Sequence, residues 1–235
     1  KIGLGTINKT SYYTFINYKK GNGFRPNTGY NSLNLYGFLN HKFSPKLEIS
    51  SEITYMHYLT QQAGGLTDKM FYENPLQSNR SRNWFEVDWM LYNGKLLYKP
   101  TAETKLSVNI FGLNASRNSL GYRTNRVNQN DLGGVRDLIK GKFKNYGIES
   151  KFLHKYNLFQ KSAAIVFGVK HYKSKNKSIQ GPGSDGSDND FNLYTTTFPF
   201  YKNQSEYDFP NINNSIFIEN VFYVNSKLSI TPGAR

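Results

Sequence analysis

The residues with the most chemistry to offer are arginines. Arg25, Arg80, Arg82, Arg117, Arg123, Arg126 and Arg136 all fall in long polar segments or at the ends of the patterned stretches that lead into them. A guanidinium fork pairs with a carboxylate through two parallel hydrogen bonds, which a lysine ammonium does not do. Arg80-Ser81-Arg82 has the tightest spacing. If the chain is extended there, both side chains project to one side and can share one polycarboxylate. Each charge-assisted bond to a carboxylate supplies about 1.5–3 kcal/mol. With Arg25, Arg123 and Arg126 these two make a candidate basic mouth, and Gln180 adds a neutral hydrogen bond from the opposite loop. By themselves the residues specify an anion and nothing narrower. Exposed loop arginines also meet acidic lipopolysaccharide or water alone, and that reading stays open here.

The remaining candidates are weaker. Asp185, Asp188 and Asp190 crowd the Gly- and Ser-rich segment 181–190 and offer oxygen ligands for calcium. The EF-hand spacing and its bidentate Glu are missing, so a hydrated, turn-forming loop competes with the ion site. His41, His57, His154 and His171 stand at unrelated positions, without a nearby Ser or carboxylate constellation. They read as wall or interfacial residues rather than as a base or ligands. No HExxH, P-loop or dinucleotide fingerprint occurs, and zero Cys removes thiolate sites, cysteine nucleophiles and disulfides together. The sequence is not read as an enzyme, and it calls for no cofactor.

Charge points the same way as the arginines. Thirty Lys and Arg against 16 Asp and Glu give +14. A nucleic-acid surface gathers such charge on one face or helix, whereas here it is spread along the chain among Asn, Ser and Tyr. Nucleic acid is therefore not expected as a partner. A basic interior that draws in anionic solutes fits better than a merely solvated basic surface.

The elements that must position these residues are strands. Tyr 18 and Phe 17 against Trp 2 favour a pleated, half-buried surface. No apolar run is long enough for a transmembrane helix, and the mean hydropathy is −0.63. Period-two alternation recurs in segments of ten residues or more. Leu47, Ile49, Ile53 and Tyr55 alternate with Glu48, Ser50, Glu52 and Thr54, and Leu106, Val108 and Ile110 with Ser107 and Asn109. Phe85, Val87, Trp89 and Leu91 share one face, but the phase slips near Asn93-Gly94, where a bulge is expected.

Short connections (44–46, 100–104, 158–161, 225–227) alternate with long ones (21–29, 61–83, 118–140, 174–211). Short turns on one side and long loops on the other mark an outer-membrane β-barrel, although a large soluble sheet or solenoid also has one wet face. The expected fold is all-β: a section of a large antiparallel transmembrane barrel, with long extracellular loops and short periplasmic turns. Leu35, Ile49, Ile53, Val108, Ile148 and Ile165 are expected toward lipid, and Glu52, Asn109, Glu149 and Lys151 toward the lumen. With Lys1 at one end and Arg235 inside a strand pattern at the other, residues 1–235 read as part of a longer polypeptide.

Several stretches resemble a known family. Gln62-Ala63-Gly64-Gly65-Leu66-Thr67-Asp68, followed by Asn74-Pro75-Leu76-Gln77-Ser78-Asn79-Arg80-Ser81-Arg82-Asn83-Trp84-Phe85, is similar to the barrel of TonB-dependent outer-membrane receptors. The similarity is greatest to the ferric citrate group. Gly23-Phe24-Arg25-Pro26-Asn27 resembles the family's first long loop, and Phe111–Asn118 one of its strands. Ile218-Glu219-Asn220 with Thr231-Pro232-Gly233-Ala234-Arg235 resembles a later strand pair. The resemblance implies a barrel of about 22 strands closed by a plug. It also implies a ferric chelate as ligand, the outer membrane as location and the TonB complex as energy-coupling partner. The plug domain, TonB-contact segment and closing strands are not seen in this sequence. A passive anion-selective porin and a non-transport surface-binding protein are the alternative functions.

Overall fold

The computed structural model describes residues 3–124 and 126–235, apart from the side chain of Leu4. The chain is one antiparallel meander. Strands β1 (Leu4–Ile7), β2 (Thr10–Gly21), β3 (Tyr30–Lys42), β4 (Leu47–Gln61), β5 (Trp84–Tyr98), β6 (Thr104–Gly121), β7 (Asp137–Leu158), β8 (Lys161–Pro182), β9 (Ser205–Tyr223) and β10 (Ser229–Ile230) lie side by side in chain order. The short β11 (Gly233–Ala234) pairs with β9 as well. One short helix, α1 (Asp68–Glu73), is capped by the Thr67 hydroxyl and lies in the β4–β5 connection.

Long and short connections alternate as expected. Residues 8–9, 43–46, 99–103, 159–160 and 224–228 turn tightly at one end, while 22–29, 62–83, 122–136 and 183–204 form the loops at the other. In the two-residue turn between β7 and β8 both Phe159 (φ 51°) and Gln160 (φ 63°) are left-handed. A two-residue hairpin that matches the right-handed strand twist demands this conformation, although neither residue favours it. Two expected loops are shorter than their polar sequence indicates. β6 continues to Gly121 with β7 starting at Asp137, and β8 continues to Pro182 with β9 starting at Ser205.

Register sorts the side chains into two faces, because directly opposed residues of an antiparallel pair share a side. Ile53 opposes Gly37 and Tyr92; Tyr92 opposes Gly112, which opposes Tyr146. Following such rows places Leu35, Ile49, Ile53, Val108, Ile148 and Ile165 on one face, here called the belt face. Glu52, Asn109, Glu149 and Lys151 lie on the other. There Glu52 accepts from the Tyr36 hydroxyl at 2.9 Å and from Asn93 at 3.3 Å. Ile49, Ile53, Ile110, Ile148, Phe167 and Ile216 leave between 40% and 65% of their surface bare, which water alone would not favour in such a row.

Tyr12, Tyr98 and Tyr156 edge the belt on the turn side, and Tyr55, Tyr92 and Tyr146 edge it on the loop side. From Tyr146 to Tyr156 the strand runs roughly 33 Å, or about 25 Å in height at barrel tilt, the height of a lipid-facing band.

No bulge interrupts β5. Ser51 opposes Gly94 and Glu52 opposes Asn93 in unbroken register. The apolar set changes sides because the wall itself changes character above the belt. There Glu86, Asp88, Asn114, Ser116, Lys142 and Lys144 occupy the belt face, while Val87, Trp89, Leu113 and Phe143 occupy the opposite one. Close contacts lock the register. The ring of Phe217 lies over Gly168, where an added Cβ would be 2.1 Å from it.

Candidate functional site: the loop cap

Each histidine bonds through Nδ1 to the residue directly across from it. The pairs are His41 with Thr10 (2.7 Å), His57 with Asp88 (2.7 Å), His154 with Thr104 (2.9 Å) and His171 with Asn214 (2.6 Å). His41, His154 and His171 thus pair within the wall, whereas His57, against the sequence expectation, has carboxylates beside it: one ring nitrogen and one oxygen each of Glu86 and Asp88 lie within 4.8 Å of one another. The described chemistry concentrates instead in the four long loops, where arginines tie one loop to the next.

Arg25, in the 22–29 loop, donates to the carbonyls of Gly64 (2.6 Å) and Gln77 (3.3 Å) in the 62–83 loop. Arg80 is 6% exposed and reaches the 122–136 loop, donating to Gln129 O (2.8 Å), Val127 O (3.5 Å) and Thr124 Oγ1 (3.3 Å). Its guanidinium lies 5.3 Å from the centre of the Tyr122 ring. Arg82 grips Asp131 with both prongs, Nε to Oδ2 at 2.9 Å and Nη2 to Oδ1 at 2.7 Å. Its third nitrogen donates to the carbonyls of Gly134 (3.0 Å), Asp185 (2.7 Å) and Gly186 (3.2 Å), so it joins three loops. Arg136 is fully buried and closes the chain of contacts. It donates to Arg82 O at 2.7 Å, Asp188 O at 2.8 Å, Ser184 O at 3.1 Å and Asp188 Oδ1 at 3.0 Å.

The electrostatics follow from these partners. Hydrogen bonding from Arg82 holds the Asp131 carboxyl below the usual carboxylate range, against the opposing effect of burial. The same bond raises Arg82. Burial lowers Arg136, and Asp188 offsets part of that. For Asp188 burial acts upward, but the Asp190 N–H, the Ser184 hydroxyl and Arg136 outweigh it and the net shift is downward. Burial and a hydrogen bond to Asp137 push the Tyr201 hydroxyl well above its ordinary value.

The six expected anion-binding residues therefore divide. Arg25, Arg80 and Arg82 spend their donors on loop carbonyls and on Asp131. Segment 80–82 is bent rather than extended, so Arg80 and Arg82 do not offer one shared pair of forks. Arg123 and Arg126 are exposed and make no side-chain hydrogen bond or ion pair among the described residues. Gln180 lies near the end of β8, opposite Ile139. Arg117, exposed, shares that face, since it opposes Gly141 and Gly141 opposes Ser178.

The aspartates of the calcium candidate do not converge. Asp188 meets Arg136 and Ser184, Asp190 accepts from Asn192 and Tyr194, and Asp185 gives its carbonyl to Arg82. The pivotal role of Arg136 was not expected. Its signal in sequence is only an arginine directly before an Asp-led strand.

No protein-family model matches the sequence, and no curated protein matches it at a significant level. Solved structures do. The unliganded ferric citrate transporter FecA is similar with a TM-score of 0.70 at 10% identity, over 97% of this chain and 39% of its own. The ferripyoverdine receptor of the outer membrane of Pseudomonas aeruginosa gives 0.72 at 12%, over 98% and 33%. BauA, the ferric preacinetobactin receptor from Acinetobacter baumannii, gives 0.68 at 9%, over 98% and 37%. The chain thus spans about two fifths or less of each of these proteins. It has the fold of a section of a receptor β-barrel wall. These neighbours are transporters and receptors rather than enzymes.

Proposed function

We propose that the chain is the wall and loop cap of an outer-membrane receptor for an anionic ferric chelate, energised through the TonB complex. The observation that carries this reading is the pairing of a bilayer-high apolar belt with a set of long loops stapled together above it. In this reading the belt face meets lipid and the opposite face lines the lumen. Arg25, Arg80, Arg82 and Arg136 hold the cap in shape. Arg123 and Arg126 capture the anion at the mouth, and Arg117 and Gln180 meet it on the luminal face. Ferric citrate, a polycarboxylate, suits guanidinium forks; the sequence resemblance and the neighbours' ligands support iron as its metal.

The test is a binding measurement on the full-length receptor with ferric citrate and with a neutral siderophore. Arg123→Ala/Arg126→Ala should weaken the anionic chelate about tenfold or more, the loss of a charge-assisted pair, and less so at high salt. Unchanged ferric citrate affinity in that variant removes the site assignment. Binding of a neutral ligand alone by the wild type removes the substrate class.

A further inference from the structure

On β4 and β5, above the belt and on the same face, His57, Glu86 and Asp88 come together. His57 and Asp88 oppose each other directly. Glu86 lies two residues before Asp88, diagonal to His57 and within reach of a long side chain. One ring nitrogen of His57 and one oxygen from each carboxylate lie within 4.8 Å of one another. All three side chains are half-buried, so solvent still reaches them.

Their charge is not balanced by basic neighbours. The chain carries 30 Lys and Arg against 16 Asp and Glu. Yet among the described residues Glu86 has no ion pair, and Asp88 pairs only with His57. Lys140, on the same cross-strand row as Glu86, donates to the Phe191 carbonyl at 2.6 Å. Lys142, on the row of Asp88, makes no ion pair among the described residues. Two adjacent carboxylates repel, and a bound cation relieves that repulsion. Asn118, 7% exposed, is an independent sign of a polar ligand. Its Nδ2 donates to Glu86 Oε1 at 2.7 Å and fixes that carboxylate, as the outer partners of metal ligands do. Its buried Oδ1 has no partner among the described residues.

We infer that His57, Glu86 and Asp88 bind one divalent transition-metal ion of the zinc class. An imidazole nitrogen suits zinc, nickel or copper, whereas calcium and magnesium take oxygen ligands. Two ligand atoms on a tetrahedral zinc ion, each about 2.0–2.2 Å from it, stand about 3.4 Å apart. The 2.7 Å contact between His57 Nδ1 and Asp88 therefore opens, and a separation of 4.8 Å closes by about 1.4 Å. Side-chain rotation supplies both movements. The ion takes the place of the proton between His57 and Asp88, and water fills its remaining position. It clips β4 to β5 at the root of the 62–83 loop, which re-enters the sheet at Trp84, two residues before Glu86. The inference depends neither on the chelate nor on which face meets lipid.

The experiment uses the full-length protein, stripped of metal and held in detergent. Zinc chloride is titrated in by calorimetry. Glu86→Gln/Asp88→Asn, which keeps the side-chain shapes, and His57→Ala should each weaken one zinc site at least about tenfold. His154→Ala, which removes a histidine paired with Thr104, should behave as wild type. A second measurement needs no variant: zinc should slow amide exchange of the wild type in residues 56–59 and 85–88. Equal zinc binding by the wild type and both site variants, or unchanged exchange in those segments at saturating zinc, overturns the site. Calcium that slows the same segments at lower concentration than zinc, and does so equally in His57→Ala, overturns the zinc-class assignment.

Discussion

Arg136 donates a hydrogen bond of 2.7 Å to the backbone carbonyl of Arg82, and so one buried arginine secures the backbone beneath another. Arg82 in turn spans the 122–136 and 183–204 loops. The four long loops therefore form one cooperative cap rather than four independent flaps. Arg136→Ala leaves Ser184 and Asp188 without their buried donor and should cost about 3 kcal/mol of cap stability. Hydrogen exchange should show protection lost in 183–204 and 80–83 together, with the belt strands unchanged. Exchange rising in one loop alone would break the cooperative account.

Acid should loosen the same cap. Asp131 is held below its unfolded value by Arg82, so the pair stabilises the folded cap at neutral pH. That contribution disappears as pH falls below about 3.9, the ordinary Asp value, and on through the folded one. Asp188, lowered too, titrates in the same direction. Exchange in residues 126–136 should therefore accelerate on acidification below that point. Asp131→Asn should show a loose loop already at pH 7 and a weaker acid response.

The two faces should respond unequally to charge. Ile148→Lys places an ammonium within the belt and should cost about 2–4 kcal/mol at midplane. Asn109→Lys on the opposite face should cost about 0.5 kcal/mol or less. Urea unfolding of the protein refolded into vesicles measures both, and equal costs would contradict the assignment of faces.

The Phe159-Gln160 turn is a place to gain stability. Both residues hold positive φ, and Phe159 is 88% exposed, so its ring contributes little there. Phe159→Asn/Gln160→Gly supplies the preferred pair for this turn and should stabilise by about 1 kcal/mol. The same urea series reports it as a raised midpoint.

Much of this architecture was legible in sequence because a sheet with two unlike faces enforces alternation. Ile53 beside Glu52 announces two faces, and every position expected on the belt face lies there. Alternation fails where both sides are wet. Lys173, Lys175 and Lys177 alternate with Ser174, Asn176 and Ser178, so β8 looks like loop although its backbone pairing continues to Pro182. Near Asn93 the apolar set changes sides with no slip of register, which a pattern alone cannot separate from a bulge. The arginine roles were illegible for another reason. Arg82 and Asp131 are 49 residues apart, and only the folded loops reveal that a fork suited to a ligand is already filled by the protein.

The central claim, that this sheet is a membrane wall with lipid on one side only, is tested most directly at neighbouring residues. Residues 1–235 contain no cysteine, so in a full-length protein cleared of any cysteine elsewhere Glu52→Cys and Ile53→Cys each carry a single reactive site. Each variant of the full-length protein is labelled with an environment-sensitive fluorophore and reconstituted with lipids brominated along the acyl chains. The label at position 53 should be blue-shifted and quenched by the bromines. The label at position 52 should be neither, and should react with a water-soluble thiol reagent. Equal quenching at both positions, or at neither, would contradict the account.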